Sequence, residues 1–104
     1  MKYSYADYAL LFKALSDETR LKIISMLSDN ELCACRILSE FNITQPTLSY
    51  HMKILMDSSL VNGRKDGSWM RYTLNKEKSD ELISFFKDIT SGVNDSLIKK
   101  ENCD

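Results

Sequence analysis

The sequence points to a mostly helical fold carrying one β-hairpin. Apolar residues recur at steps of three and four along most of the chain, which is the spacing of one helix face. Only one Pro and three Gly punctuate 104 residues, so helices are seldom interrupted. The exception is Leu60 to Leu74, where alternation by two flanks Asp66-Gly67, a strong two-residue turn signal. Two short helices joined by Phe41-Asn42-Ile43 and followed by that hairpin make a winged helix-turn-helix.

In the first helix, Tyr5, Tyr8, Phe12 and Leu15 share a face. Their aromatic weight implies more burial than one subunit offers. Ser16 or Asp17 ends this helix and caps a second one that runs through Leu27. Leu21, Ile24 and Leu27 are its expected buried side, with Ile23 beside them. Ser28-Asp29-Asn30 turns the chain. A third helix is expected from Glu31 to Phe41, with Ala34, Ile37, Leu38 and Phe41 as its stripe. Asn42 suits the left-handed conformation that often ends a helix.

The stretch T-Q-P-T-L-S-Y-H-M-K-I-L, Thr44 to Leu55, is the expected reading helix. Thr44 is a good N-cap, and Pro46 falls in the first turn, where its missing N–H costs little. Leu48, Met52 and Leu55 form one apolar stripe. The opposite side carries Gln45, Thr47, Ser49, Tyr50 and Lys53. A merely solvated helix more often carries Glu and Lys there. Gln pairs bidentately with adenine, Ser and Thr serve several bases, and Lys holds phosphate or guanine. Gln45, Ser49, Tyr50 and Thr47 are therefore candidate base readers. Lys53, Arg64, Lys65 and Arg71 are candidates for the backbone or minor groove.

In the hairpin, an Asp66-Gly67 turn sets Lys65 opposite Ser68, Arg64 opposite Trp69 and Val61 opposite Tyr72. Val61, Met70, Tyr72 and Leu74 then face inward. Asn62, Arg64, Trp69 and Arg71 face outward, with Lys65 at the tip. A last helix is expected from Lys76 to Lys100, with Leu82, Phe86, Ile89, Val93 and Leu97 as a near-heptad seam and Ser91-Gly92 weakening its centre. The chain reads as a single domain, residues 1–104, with a mobile tail at 99–104. The first and last helices are expected to pack together and against a second subunit.

Charged residues are 28% and hydrophobic ones 43%, the balance of a globular protein. The net charge is −1, yet Arg36 to Lys76 holds six Lys or Arg against three acids, so positive charge gathers around the reading helix. No apolar run reaches the length of a membrane span, and no signal-peptide pattern is visible. The expected location is cytoplasmic, away from membranes, with reduced thiols. One His, no Gly-rich phosphate loop and no carboxylate pair beside a nucleophile argue against an enzyme and against an obligatory cofactor.

Four segments resemble the arsenic repressor family of winged-helix regulators, the ArsR–SmtB group. They are F-K-A-L-S-D-E-T-R-L-K-I-I-S-M-L (Phe12 to Leu27), E-L-C-A-C (Glu31 to Cys35), the reading-helix stretch, and G-R-K-D-G-S-W-M-R-Y-T-L (Gly63 to Leu74). The family often has Pro at the position of Glu18 and a His-like residue at that of Tyr50. The resemblance implies a homodimer on double-stranded operator DNA of two-fold symmetry, released by an inducer metal or metalloid. The family's arsenic site resembles E-L-C-V-C-D-L-C, which implies As(III) or Sb(III) as inducer, held by thiolates. Cys33 and Cys35 match its first two cysteines. Arg36 stands where Asp is usual, and Leu38 where a third Cys can occur. Cys103 is the remaining thiol and the candidate third ligand, from its own subunit or the partner's. A cadmium, lead or bismuth sensor of this family usually has a further Cys near its N-terminus, and residues 1–32 contain none. The family's zinc site needs His on the last helix, which has none.

On a regular helix Cys33 and Cys35 diverge by about 200° and cannot share one ion. Closing both on one centre requires the helix start to unwind, and that strain is a candidate switch. Both thiols lie in the first turns, where partial positive charge favours thiolate. Two other readings of the same fold remain open: a thiol-redox regulator using Cys33 and Cys35, and a protein-interaction winged helix that has lost DNA binding.

Overall fold

The computed structural model of the protein describes residues 4–92. Its elements are α1 (Tyr5–Leu15), α2 (Glu18–Met26), β1 (Leu32–Cys33), α3 (Ala34–Leu38), α4 (Gln45–Asp57), β2 (Val61–Asp66), β3 (Trp69–Leu74) and α5 (Lys76–Thr90). The fold is the expected winged helix-turn-helix, with one addition. The wing is a three-stranded antiparallel sheet, order β1-β3-β2, because Leu32 and Cys33 pair with Tyr72 and Arg71.

Two apolar clusters hold it together. One joins Ile23 and Leu27 of α2, Ile37 of α3, Leu48, Met52 and Leu55 of α4, and Val61 and Tyr72 of the wing. The other joins Tyr8, Leu11 and Ala14 of α1 to Leu60, Leu82 and Phe85. Tyr8 stacks flat on Phe85, with ring centroids 3.7 Å apart and planes 4° from parallel. That stack sets the rotation of α1 and α5 and corrects the expected faces. In α1 the buried set is Tyr8, Leu11 and Ala14, leaving Tyr5 and Phe12 exposed. In α5 it is Leu82 and Phe85, while Phe86 and Ile89 are exposed. In α2, Ile23 is the buried centre and Leu21 is 52% exposed, because α2 meets the core along Ile23 and Leu27.

The expected third helix is divided. Cys33 is extended (φ −79°, ψ 156°) and serves as the N-cap of a five-residue α3. The chain is drawn into the sheet here, so two residues that looked helical form a strand. Left-handed backbone falls elsewhere too. The positive-φ residue other than Gly is Ser59, at φ 67°, and Asn42 is not in that region. Ser59 follows α4 and closes it with a paired turn: its N–H donates to the Met56 carbonyl, and that of Leu60 to the Leu55 carbonyl.

The hairpin register is offset by one from expectation. Asp66 pairs with Trp69, Lys65 with Met70, Arg64 with Arg71 and Val61 with Leu74. The turn is therefore Gly67-Ser68, with Gly67 at φ 66° in the first central position, the placement of a type II′ turn. Asp66 stays in the strand because its carboxylate accepts from Nε of Arg71 at 2.7 Å. The inward and outward sets survive the shift, and Val61 and Tyr72 are buried. The expected continuation of α5 to Lys100, with Val93 and Leu97, lies outside the described residues, as do Cys103 and the tail.

Candidate nucleic-acid interface and thiol pair

Helix α4 is built as its residues dictate. The Thr44 hydroxyl accepts from the Thr47 N–H at 3.4 Å, and Pro46 sits in the first turn. Leu48, Met52 and Leu55 are buried. Gln45, Thr47, Ser49, Tyr50 and Lys53 are all exposed along the opposite side, Tyr50 by 61%. The side chains of Gln45, Ser49 and Tyr50 have no hydrogen-bond partner among the described residues. Lys53 is paired with Asp57 one turn on, at 3.0 Å.

The wing is prepared differently. Arg64 makes a two-pronged pair with Glu31, Nε to Oε2 at 3.1 Å and Nη2 to Oε1 at 2.9 Å. The hydrogen-bonded Glu31 carboxylate raises the already high pKa of Arg64. Arg71 is taken by Asp66, whose carboxyl that hydrogen bond holds below the usual carboxylate range. Lys65 forms no ion pair among the described residues. The positive stretch seen in sequence is thus largely answered by acids in space.

Because residues opposite one another across a sheet share a face, the register lines up Cys33, Arg71 and Arg64 in one row. The sulfur of Cys33 accepts from the Arg36 N–H at 3.3 Å, completing the cap of α3. Cys33 and Cys35 are joined as a disulfide, with Cα atoms 5.3 Å apart. The 200° divergence expected on a regular helix does not apply, because the helix begins after Cys33. Both sulfurs lie on one side of the β1–α3 junction. Among the described residues no group of three or more His, Cys, Asp or Glu is arranged to hold a metal ion.

Three positions escaped sequence reasoning. Glu31 reaches Arg64 from the far edge of the sheet, and a two-residue strand is too short to leave a periodic signal. Trp69 is 46% exposed and, with Gln45, Ser49 and Ala34, lines a cleft of about 90 Å³ between wing and reading helix. Arg20, read only as part of a matching segment, hydrogen-bonds His51 on α4 at 3.0 Å.

Comparison with known proteins agrees with this geometry. The pattern of the bacterial regulatory protein arsR family matches residues 17–63. The chain is 49% identical over 80 residues to the arsenical resistance operon repressor of Staphylococcus aureus, covering 77% of each chain. Against the repressor of the same name from Bacillus subtilis (strain 168) it is 41% identical over 78 residues, 74% of each chain. Among solved structures, an ArsR-like transcriptional regulator from Rhodococcus sp. RHA1 superposes with a TM-score of 0.75 at 26% identity, over 89% of this chain and 88% of that one. HlyU from Vibrio cholerae N16961 superposes with a TM-score of 0.69 at 33% identity, over 86% and 97%. A reading helix with an open polar face, a basic wing and this likeness across three quarters of the chain lead to one assignment: the protein belongs to the arsR family of bacterial regulatory proteins, which are transcriptional regulators and not enzymes.

Proposed function

We propose that the protein is a homodimeric repressor that binds an operator of two-fold symmetry and leaves it when trivalent arsenic or antimony binds its cysteines. The observation that carries this reading is the place of the Cys33–Cys35 pair. It sits where a strand paired to the wing becomes the helix that braces α4. The arsenical resistance repressors among its relatives support the same inducer.

In the reduced state two thiols face one centre. Arsenous acid exchanges hydroxyls for sulfur: each As–S bond forms as the thiol proton leaves with one hydroxyl as water, so no oxidant is needed. Cys103, from either subunit, supplies the third sulfur. A ligand that pulls on Cys33 and Cys35 strains the β1–β3 pairing or the first turn of α3. Its preference for the strained arrangement lowers DNA affinity by the same factor. Gln45, Thr47, Ser49 and Tyr50 read bases, while Lys53, Arg64, Lys65 and Arg71 hold phosphates. Exposed Phe12, Ile83, Phe86 and Ile89 on α1 and α5 suit a second subunit. Half-sites then lie about 34–36 Å apart. A cytoplasmic location follows from this role. No described helix is long and apolar enough to cross a membrane.

The test titrates DNA-bound protein with arsenite, antimonite, cadmium and zinc under strong reductant. The native chain is compared with Cys33→Ser/Cys35→Ser and with Cys103→Ser. Arsenite and antimonite should release the native chain and leave the double variant bound. Equal release of the double variant by arsenite overturns the reading, and full response of Cys103→Ser removes the third ligand.

The disulfide favours one second reading, a thiol-redox regulator. There a peroxide takes two electrons from the Cys33–Cys35 dithiol, the two thiol protons leave, and the S–S bond forms. Release that requires peroxide and never arsenite selects it.

A further inference from the structure

Helix α4 is held to the rest of the molecule by one polar tie besides its apolar stripe. Arg20, in the first turns of α2, spans three elements. Its Nε donates to the Ala14 carbonyl near the end of α1 at 2.7 Å, and its Nη1 lies 3.0 Å from Nδ1 of His51 on α4. A guanidinium has donors only, so Nδ1 must be the acceptor. His51 is therefore neutral, with its proton on Nε2.

We propose that Arg20 is a positioning residue for the reading helix and that its hold depends on His51 staying neutral. This rests on the DNA-binding reading above. His51 directly follows Tyr50, and the two rings meet edge to face, centroids 5.4 Å apart. The tie therefore fixes the helix one residue from a proposed base reader. Small displacements there degrade base pairing geometry more than phosphate contact, because base readout is bidentate and directional.

Protonation puts a hydrogen on Nδ1 and sets two cations face to face at hydrogen-bond distance. An alternative partner stands ready. The Asp17 carboxylate, N-cap of α2, lies 3.9 Å from Nδ1. It already accepts from the Arg20 N–H, the main reason its carboxyl is held below the usual range. The charged and titratable groups around the imidazole are Asp17 and Arg20 of α2 and Tyr50 of α4. Across the cleft that Arg20 and Tyr50 line stand Lys13 of α1 and Asp57 at the end of α4. A protonated His51 exchanges Arg20 for Asp17 and cuts the link from α1 to α4. His51 is the chain's single histidine, so a side-chain imidazole response has one source.

The experiment selects a duplex from a random-centre pool with the native chain at about pH 8. Affinity for that duplex and for the unselected pool is then followed down to about pH 5.5, across the range where imidazoles titrate. His51→Gln keeps an acceptor without a titrating group. The native chain should lose at least about tenfold in preference for the selected duplex on acidification, while His51→Gln stays level. Arg20→Ala should show the loss already at about pH 8. Imidazole nitrogen shifts of the native chain should report the Nε2–H tautomer at about pH 8. Coincident pH profiles for native and His51→Gln overturn the proposal. So does a proton on Nδ1 at about pH 8, which also decides the matter if Arg20→Ala fails to fold. Failure of the native chain to enrich any duplex sinks the DNA-binding reading instead, and the nitrogen signals then still judge the tie.

Discussion

The reading helix and the wing offer the same nucleic acid two differently prepared surfaces. On α4, Gln45, Ser49 and Tyr50 stand exposed, with side chains that have no partner to give up among the described residues. On the wing, Arg64 and Arg71 are already bound to Glu31 and Asp66. A base edge meeting α4 exchanges only water. A phosphate meeting the wing must displace a carboxylate. The helix is thus suited to discriminate, while the wing's grip is adjusted by acids, one of which lies two residues before Cys33. The segment proposed to bind arsenic also holds a wing arginine.

The comparison breaks hardest where both surfaces share a support. Met52 is fully buried in the cluster joining α4 to the wing. Met52→Ala should cost about 2–5 kcal/mol, the usual range for emptying such a site. Denaturant melts check this, and helix and wing should lose structure in one transition. A separate loss would show the two surfaces to be independent.

Gly63→Ala probes the joint between them. A Cβ there would meet Met56 Sδ at 2.8 Å and the Met70 methyl at 3.0 Å. Both are ends of flexible side chains, so the expected cost is about 1–3 kcal/mol. The wing should shift against α4, weakening selected and random DNA alike. A change confined to the selected duplex would mean that the wing discriminates after all.

Glu31→Gln is the gentlest test. It removes the carboxylate from Arg64 and leaves the fold alone. DNA affinity should rise at low salt, and the slope of log affinity against log salt should steepen by about 0.9, one added phosphate contact. An unchanged slope would mean that Arg64 does not reach phosphate. Lys65→Ala should flatten the slope by the same amount.

Much of this molecule is written locally. Thr44 as cap, Pro46 in the first turn, and the Leu48, Met52, Leu55 stripe specify α4 within thirteen residues, and the helix appears where expected, Gln45–Asp57. Asp17 as the cap of α2 and the inward set of the hairpin were equally legible, since each depends on neighbours a few positions away. The arsenic-type cysteine pair was legible as a motif but not as geometry.

Contacts between distant residues decided the rest. Leu32 and Cys33 look helical until β3, some forty positions later, supplies strand partners. The rotation of α1 and α5 came from Tyr8 stacking on Phe85, and no period within either helix encodes it. The hairpin register turned on one ion pair, Asp66 with Arg71, strong enough to move the turn by a residue. Glu31 with Arg64 and Arg20 with His51 each join groups more than thirty positions apart. Caps, stripes and turns are properties of a short stretch of backbone and can be read along the chain. Which side chains answer one another across the fold depends on how those stretches come together, and that information exists only once they have.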